Sequence, residues 1–186
     1  MVFFSEICSV QTLRPYQATD CPQILDIYRP FIEKGGVTFE TETPSLEQFQ
    51  QRLDGIAAAY PFWVVEEDGK VITYAYACRH RERAAYRWIV ETSVYVHADY
   101  YHQGLGRKVY QQLFDTLKER HFMWAFAGIT LPNESSMKLH EQFNFEPLAL
   151  YENAGWKQGQ WHDVAWLKRS INPPTTPPIE PIFKPC

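Results

Sequence analysis

Four cysteines in 186 residues, with no Cys-x-x-Cys pair and no His spacing of the metal-ligating kind, exclude a zinc-stapled or disulfide-framed scaffold. Cys8, Cys21, Cys78 and Cys186 are scattered and read as reduced thiols, which fits the cytoplasm, with Cys78 inside an apolar run and therefore a core residue. No run approaches the ~18 apolar residues that span a bilayer, and Met1 to Val10 lacks the basic start and long apolar centre of a secretory signal. Basic residues are not in excess: 18 Lys and Arg against 22 Asp and Glu leave a formal charge of −4, which disfavours a nucleic-acid or anionic-membrane partner. Internal repeats are absent, and so are the lysine-terminated P-loop and the full Gly-x-Gly-x-x-Gly fingerprint, which disfavours nucleotide triphosphatase and hydride-transfer chemistry.

What is present begins with a hydrophobic content of 45% and an aromatic content of 16%, enough for one domain with a substantial core. Leu13 to Tyr16 reads as a first strand, followed by a helix capped at Thr19-Asp20 and ended by Gly35-Gly36. Thr43-Pro44 is expected to open a second helix with Leu46, Phe49 and Leu53 on one face. Phe62 to Glu67 and Val71 to Arg79 flank Asp68-Gly69, a strong hairpin signal. A strand is expected from Tyr86 to Val96, then a helix to about Arg120, a strand near Phe122 to Thr130, a helix from Glu134 to Phe143 and two closing strands. The sum is an α/β chain with a single mixed sheet covered by helices. Residues 1–10 form an extension in which Phe3, Phe4 and Ile7 are available to pack on the domain or a partner. Asn172 to Cys186 is so rich in proline that it reads as a polyproline-like tail, a disordered or surface-lying extension rather than a dedicated ligand.

The most informative stretch is Trp88 to Tyr110, where a β-rich run carrying one carboxylate, Glu91, leads to a glycine turn and a helix. Gly104 and Gly106 allow close backbone approach, free N–H groups at the helix start favour an anion, and Arg107 adds a cation, so a pyrophosphate fits there. Taken alone, Gly-x-Gly is equally an ordinary strand-to-helix turn. Glu91, in an apolar strand, is either a proton acceptor or a carboxylate paired with a nearby arginine. Among His140, Asn133 and the arginines after Arg79, the residues themselves leave open a helical histidine of the core or surface, a helix cap and a solvated loop. His162 and Asp163 are adjacent on a strand and point to opposite faces, so they do not make a catalytic pair.

Tyr101-His102-Gln103-Gly104-Leu105-Gly106 resembles the acyl-CoA loop of the GNAT superfamily of N-acetyltransferases, written (Gln/Arg)-x-x-Gly-x-(Gly/Ala), with Tyr in place of the first polar residue. Within that superfamily the chain resembles the phosphinothricin and methionine sulfoximine acetyltransferase group. The likeness rests on Arg14 to Ile32, Val37 to Thr43, Ala85-Tyr86-Arg87-Trp88 with Glu91 to Val96, Leu131 to Ser136 with Leu139-His140-Glu141, Ala154 to Lys157, and Trp161 to Val164. Asn144 stands where the group commonly has glycine, and Asn tolerates the left-handed backbone such a helix end needs.

The resemblance implies a GNAT fold with a mostly antiparallel sheet over residues 11–171. It also implies transfer of the acetyl group of acetyl-CoA, as cosubstrate and without a metal, to the α-amine of a small amino-acid-like acceptor by direct attack. Under it Glu91 is the base and His140 the proton donor to the departing sulfur; Val94, Tyr95 and Val96 serve the pantetheine arm. His102, Gln103, Gly104, Leu105, Gly106 and Arg107 hold the pyrophosphate, and Asn133 and Ser136 line the CoA arm. Phe39, Glu40, Arg81, Arg83 and Tyr86 form the acceptor set, with an arginine suited to a carboxylate. A homodimer whose closing hairpins shape the acceptor pocket is implied as well. The alternatives are a polyamine, peptide N-terminus or other xenobiotic amine as acceptor, and an acyl-CoA-binding regulatory module without turnover.

Overall fold

The computed structural model describes residues 10–183; the expectation for Phe3, Phe4 and Ile7 lies outside them. Eleven elements follow in order: β1 (Gln11–Pro15), α1 (Cys21–Glu33), α2 (Leu46–Ala57), β2 (Phe62–Glu67), β3 (Lys70–Arg79), β4 (Ile89–Val96), α3 (Leu105–Glu119), β5 (Trp124–Thr130), α4 (Glu134–Gln142), β6 (Glu146–Lys157) and β7 (Gln160–Ser170). They build one seven-stranded sheet in the order β1-β2-β3-β4-β5-β7-β6. Every neighbouring pair is antiparallel except β4 and β5. Asp68-Gly69 makes the β2–β3 turn with both φ values positive, and Gln158-Gly159 repeats the device between β6 and β7, matching strand twist.

Both sheet faces are covered. α3 packs Val109, Leu113 and Leu117 against Val65, Ile72, Val90 and Ala125, while α1 and α2 pack Ile24, Tyr28, Phe49 and Leu53 against Val64 and Tyr74. Each such large side chain, fully buried, contributes about 2 kcal/mol. Because strand residues alternate, β4 gives Val90 and Val94 to the α3 side and Tyr95 to the α1 and α2 side, and Glu91 shares the latter face.

Most expected boundaries move by one or two residues, and two shifts have a visible cause. The cap of α2 is Ser45 rather than Thr43-Pro44: Gln48 N donates to Ser45 Oγ at 3.2 Å and Ser45 N donates to Gln48 Oε1 at 3.1 Å, a capping box that starts the helix at Leu46. Tyr86 is not in the strand, because Ala84–Tyr86 close a single 3₁₀ turn and β4 starts at Ile89. Asn144 takes the left-handed position, φ 57°, at the end of α4. Arg14 grips the buried carboxylate of Asp20 with two hydrogen bonds of 2.8 Å and also reaches Glu66, fixing β1 to the start of α1; the Asp20 bond raises the Arg14 pKa.

Residues 172–183 carry no helix or strand, yet they lie against the body. Asn172 Nδ2 donates to the carbonyls of Lys118 and Phe122, Ile182 N donates to Arg120 O, and Trp88 Nε1 donates to Ile179 O. Arg87 pairs with Glu180 at 3.0 Å, and Phe183 sets its ring edge-on to Tyr60 and Phe122. Among the described residues no helix is long and apolar enough to cross a membrane.

Candidate active site

The parallel strands β4 and β5 pair over only three residues, Ile89–Glu91 with Trp124–Phe126. Beyond Glu91 they separate, because β3 holds β4 through Val96 and β7 holds β5 through Thr130. The wedge between them opens into a cavity of about 390 Å³ walled by residues 92–96, 127–130, the loop before α3 and the start of α4. Tyr95 O accepts from Thr73 Oγ1 at 2.7 Å and His97 N donates to Ile72 O at 2.8 Å, so odd-numbered residues turn their backbone groups toward β3. The N–H and C=O groups of Val94 and Val96 therefore face the wedge. Glu91, the last paired residue, stands at its vertex.

The far end of the wedge is a helix start. Gly104 takes φ 75° and His102 φ 63°, and this left-handed pair turns the chain into α3. The first intrahelical bond runs from Lys108 N to Gly104 O, so the N–H groups of Leu105, Gly106 and Arg107 have no partner within the helix and add to its positive end. A Cβ on Gly106 would meet Val96 and Leu139 at ordinary distances of 3.5 and 3.7 Å, so the protein itself does not require glycine there. A ligand lying on those amides would. His102 to Gly106 lie in the cavity wall, whereas Arg107 is exposed and outside it. Asn133 caps α4 by accepting from Ser136 N at 3.1 Å, and both residues line the same wall.

His140 is buried in that wall with both ring nitrogens engaged. Its Nδ1 lies 2.8 Å from Ser136 O, which only accepts, so Nδ1 carries the hydrogen. Nε2 then accepts from the Tyr110 hydroxyl at 3.1 Å, and Tyr110 accepts from Thr92 Oγ1 at 2.6 Å. Burial lowers the His140 pKa, more than the Ser136 bond raises it, and keeps the ring neutral near pH 7. A hydrogen-bonded line thus runs from Thr92, one residue past Glu91, along the cavity wall to Ser136.

On the opposite sheet face Glu91 meets His80, whose Nδ1 is 2.7 Å from Glu91 Oε1. The ring of His80 lies edge-on to Phe126 at 4.7 Å, with Trp166 at 6.2 Å and Tyr86 at 6.3 Å. Cys78, opposite Glu91 in register, has its thiol pushed up to about 12 by burial, with the carboxylate adding to it, so it is not a nucleophile at neutral pH. The segment after α1 is clamped by Lys157, whose Nζ donates to Thr38 O at 2.8 Å and Phe31 O at 3.3 Å. Glu40 accepts from Tyr28 and pairs with Arg52, so its carboxylate is held by the protein. Phe39 covers Gly155 so closely that a Cβ there would stand 2.5 Å from its ring.

The match to known proteins falls on this whole arrangement. Residues 13–166 match the family model for the acetyltransferase (GNAT) domain. The chain belongs to the GNAT acetyltransferase family. It is 34% identical over 171 residues to phosphinothricin N-acetyltransferase of Streptomyces viridochromogenes, covering 91% of this chain and 93% of that one. It is 31% identical over 172 residues to the L-methionine sulfoximine/L-methionine sulfone acetyltransferase of Salmonella typhimurium, covering 89% and 98%. The crystal structure of a GNAT phosphinothricin acetyltransferase from Sinorhizobium meliloti in complex with acetyl-CoA superposes with a TM-score of 0.85 at 34% identity, covering 92% of each chain. The fold, the enzyme class and the use of acetyl-CoA follow from that membership.

Within the GNAT frame, the expected CoA-side residues fall around one cavity, with Arg107 at its edge. The expected acceptor residues are split. Tyr86 reaches His80, Phe39 and Glu40 belong to the clamped segment, and Arg81 and Arg83 are exposed, their side chains without a hydrogen bond or ion pair among the described residues. The partner of Glu91 is a histidine rather than an arginine. His80 was detectable in the sequence as the residue two beyond Cys78 on the same face, but only once the β3–β4 register put Cys78 opposite Glu91. His162 and Asp163 are separated as expected: His162 is buried beside Lys157 O, and Asp163 accepts from Asn153 N.

Proposed function

We propose that this GNAT enzyme transfers acetyl from acetyl-CoA to the α-amine of a small amino-acid-like acceptor of the phosphinothricin or methionine sulfoximine type, by direct attack and without a metal. The observation that carries the reading is the place of Glu91, at the vertex where the wedge meets the face bearing His80 and Tyr86. The relatives at 31–34% identity named above support the acceptor class.

Bound acetyl-CoA supplies a thioester carbonyl carbon and a thiolate leaving group. The amides of Leu105, Gly106 and Arg107 are suited to its pyrophosphate, with His102 and Gln103 beside them. Asn133 and Ser136 flank the arm, and the backbone of Val94 to Val96 lies along it, Val94 N–H and Val96 N–H facing the wedge and able to polarise the carbonyl oxygen. Glu91 takes one proton from the acceptor ammonium, and the freed nitrogen lone pair bonds the carbonyl carbon as the C–S bond breaks. The first proton returns to water from Glu91, and the second amine proton ends on the thiol. His140 is neutral with its one ring hydrogen on Nδ1, so a proton that it gives the sulfur leaves through the Ser136 hydroxyl in the cavity wall and is replaced by the second amine proton. Arg81 and Arg83 are free to meet an acceptor carboxylate.

The reading includes a cytoplasmic homodimer. Free Cys21 and Cys78 fit a reducing compartment. The β6–β7 hairpin exposes Leu148, Leu150, Tyr151, Trp156 and Trp161, an apolar surface suited to a second copy. Release of free CoA thiol across amino acids, phosphinothricin, methionine sulfoximine, polyamines and short peptides tests the acceptor. Turnover confined to amino-acid-like amines is expected; turnover only with polyamines or peptides would overturn the acceptor class, and acetyl-CoA binding with no turnover would favour a regulatory module.

A further inference from the structure

We propose that His80 is the positioning residue for proton removal, acting through Glu91, an inference that rests on the reading of Glu91 as the base. An ionised carboxylate only accepts, so at 2.7 Å the hydrogen of the His80–Glu91 bond sits on Nδ1. That hydrogen occupies Oε1 and leaves Oε2 for the acceptor ammonium. The two side chains differ in freedom: His80 is 10% exposed and wedged among Phe126, Trp166 and Tyr86, whereas Glu91 is 33% exposed. The ring is therefore the fixed partner, and it fixes the carboxylate.

The arrangement also reaches across the sheet. Phe126, against which His80 packs, is the β5 residue registered with Glu91 at the vertex of the wedge, and Trp166 packs on Gly128, a residue of the cavity wall. His80 thus ties the base to both walls of the wedge. It neither gains nor loses a proton during transfer: the ammonium proton passes to Oε2, and Nδ1–H remains on Oε1. Its neighbours from each packed element are Tyr86 from the loop before β4, Phe126 from β5 and Trp166 from β7; the charged group in contact is Glu91.

The test uses His80→Phe, His80→Asn and Glu91→Gln, singly and with His80→Phe combined with Glu91→Gln, on the full chain. His80→Phe is expected to lower kcat about tenfold or more while the KM for acetyl-CoA stays put. His80→Asn, whose amide N–H stands near the place of Nδ1, should recover most of that loss. In the Glu91→Gln background His80→Phe should cost nothing further. Nitrogen NMR should find the Nδ1–H tautomer of His80 at neutral pH, a reading that needs no turnover and decides together with His80→Asn if the Phe variant does not fold. Full kcat in His80→Phe, an equal loss with and without Glu91, or an Nε2–H tautomer with bare Nδ1 would each overturn the role of His80 alone. A wild-type chain that acetylates no amine would instead overturn the reading of Glu91, and this role with it.

Discussion

Glu91 and His140 occupy opposite sides of one short hydrogen-bonded stretch of β4, in contrasting environments. Glu91 is partly open and held by one histidine; His140 is closed in and kept neutral by burial. Because its pKa is depressed in the folded state, the unfolded chain binds the extra proton first as pH falls through about 6.5, so His140 stabilises above that point and loses the contribution below it. Acidifying from pH 7 to 5 should lower Tm, and His140→Gln should flatten that dependence in a thermal melt. Tyr110→Phe leaves Nε2 of His140 and Thr92 Oγ1 without their shared hydroxyl and should cost about 1–3 kcal/mol in denaturant unfolding.

At the scale of elements, the two loop glycines separate stability from binding. Gly104 holds φ 75°, so Gly104→Ala should lose about 1 kcal/mol of stability through left-handed strain. Gly106→Ala meets only ordinary contacts and should leave Tm unchanged, yet weaken acetyl-CoA about tenfold in calorimetry by placing a methyl group over the helix amides. What was legible in the sequence at this scale is local: Asp68-Gly69, the β4 alternation and the glycine turn each write their conformation in a few adjacent residues. The start of α2 was misplaced because Thr43-Pro44 and Ser45 are both helix-start signals, and only the reciprocal bonds of Ser45 and Gln48 choose between them. His80 went unseen because its meaning depends on pairing between strands joined by the 80–88 loop. The docking of the proline-rich segment, in which Asn172 donates to Phe122 O and Ile179 O accepts from Trp88 Nε1, joins residues 50 or more positions apart and has no local signal at all.

Across the whole molecule, a sheet with helices on both faces leaves an apolar surface uncovered among the described residues at the β6–β7 hairpin, where Trp156 and Trp161 are 57% and 58% exposed. Its inner side meets the segment after α1, proposed to serve the acceptor, since Gly155 lies under Phe39 and Lys157 clamps Thr38. Trp156→Asp with Trp161→Asp should convert a dimer to a monomer in light scattering and raise the acceptor KM, because the same hairpin supports both surfaces. An unchanged monomeric mass in the wild type would contradict the dimer. In the proposed reaction the amine loses its proton at the vertex of the wedge. Mass-spectrometric detection of N-acetyl product from methionine sulfoximine, with wild type beside Glu91→Gln at saturating acetyl-CoA, tests it most directly. Acetylation on the α-nitrogen is expected, with a loss of about 10²- to 10⁴-fold in the variant; undiminished acetylation by Glu91→Gln would rule out Glu91 as the base.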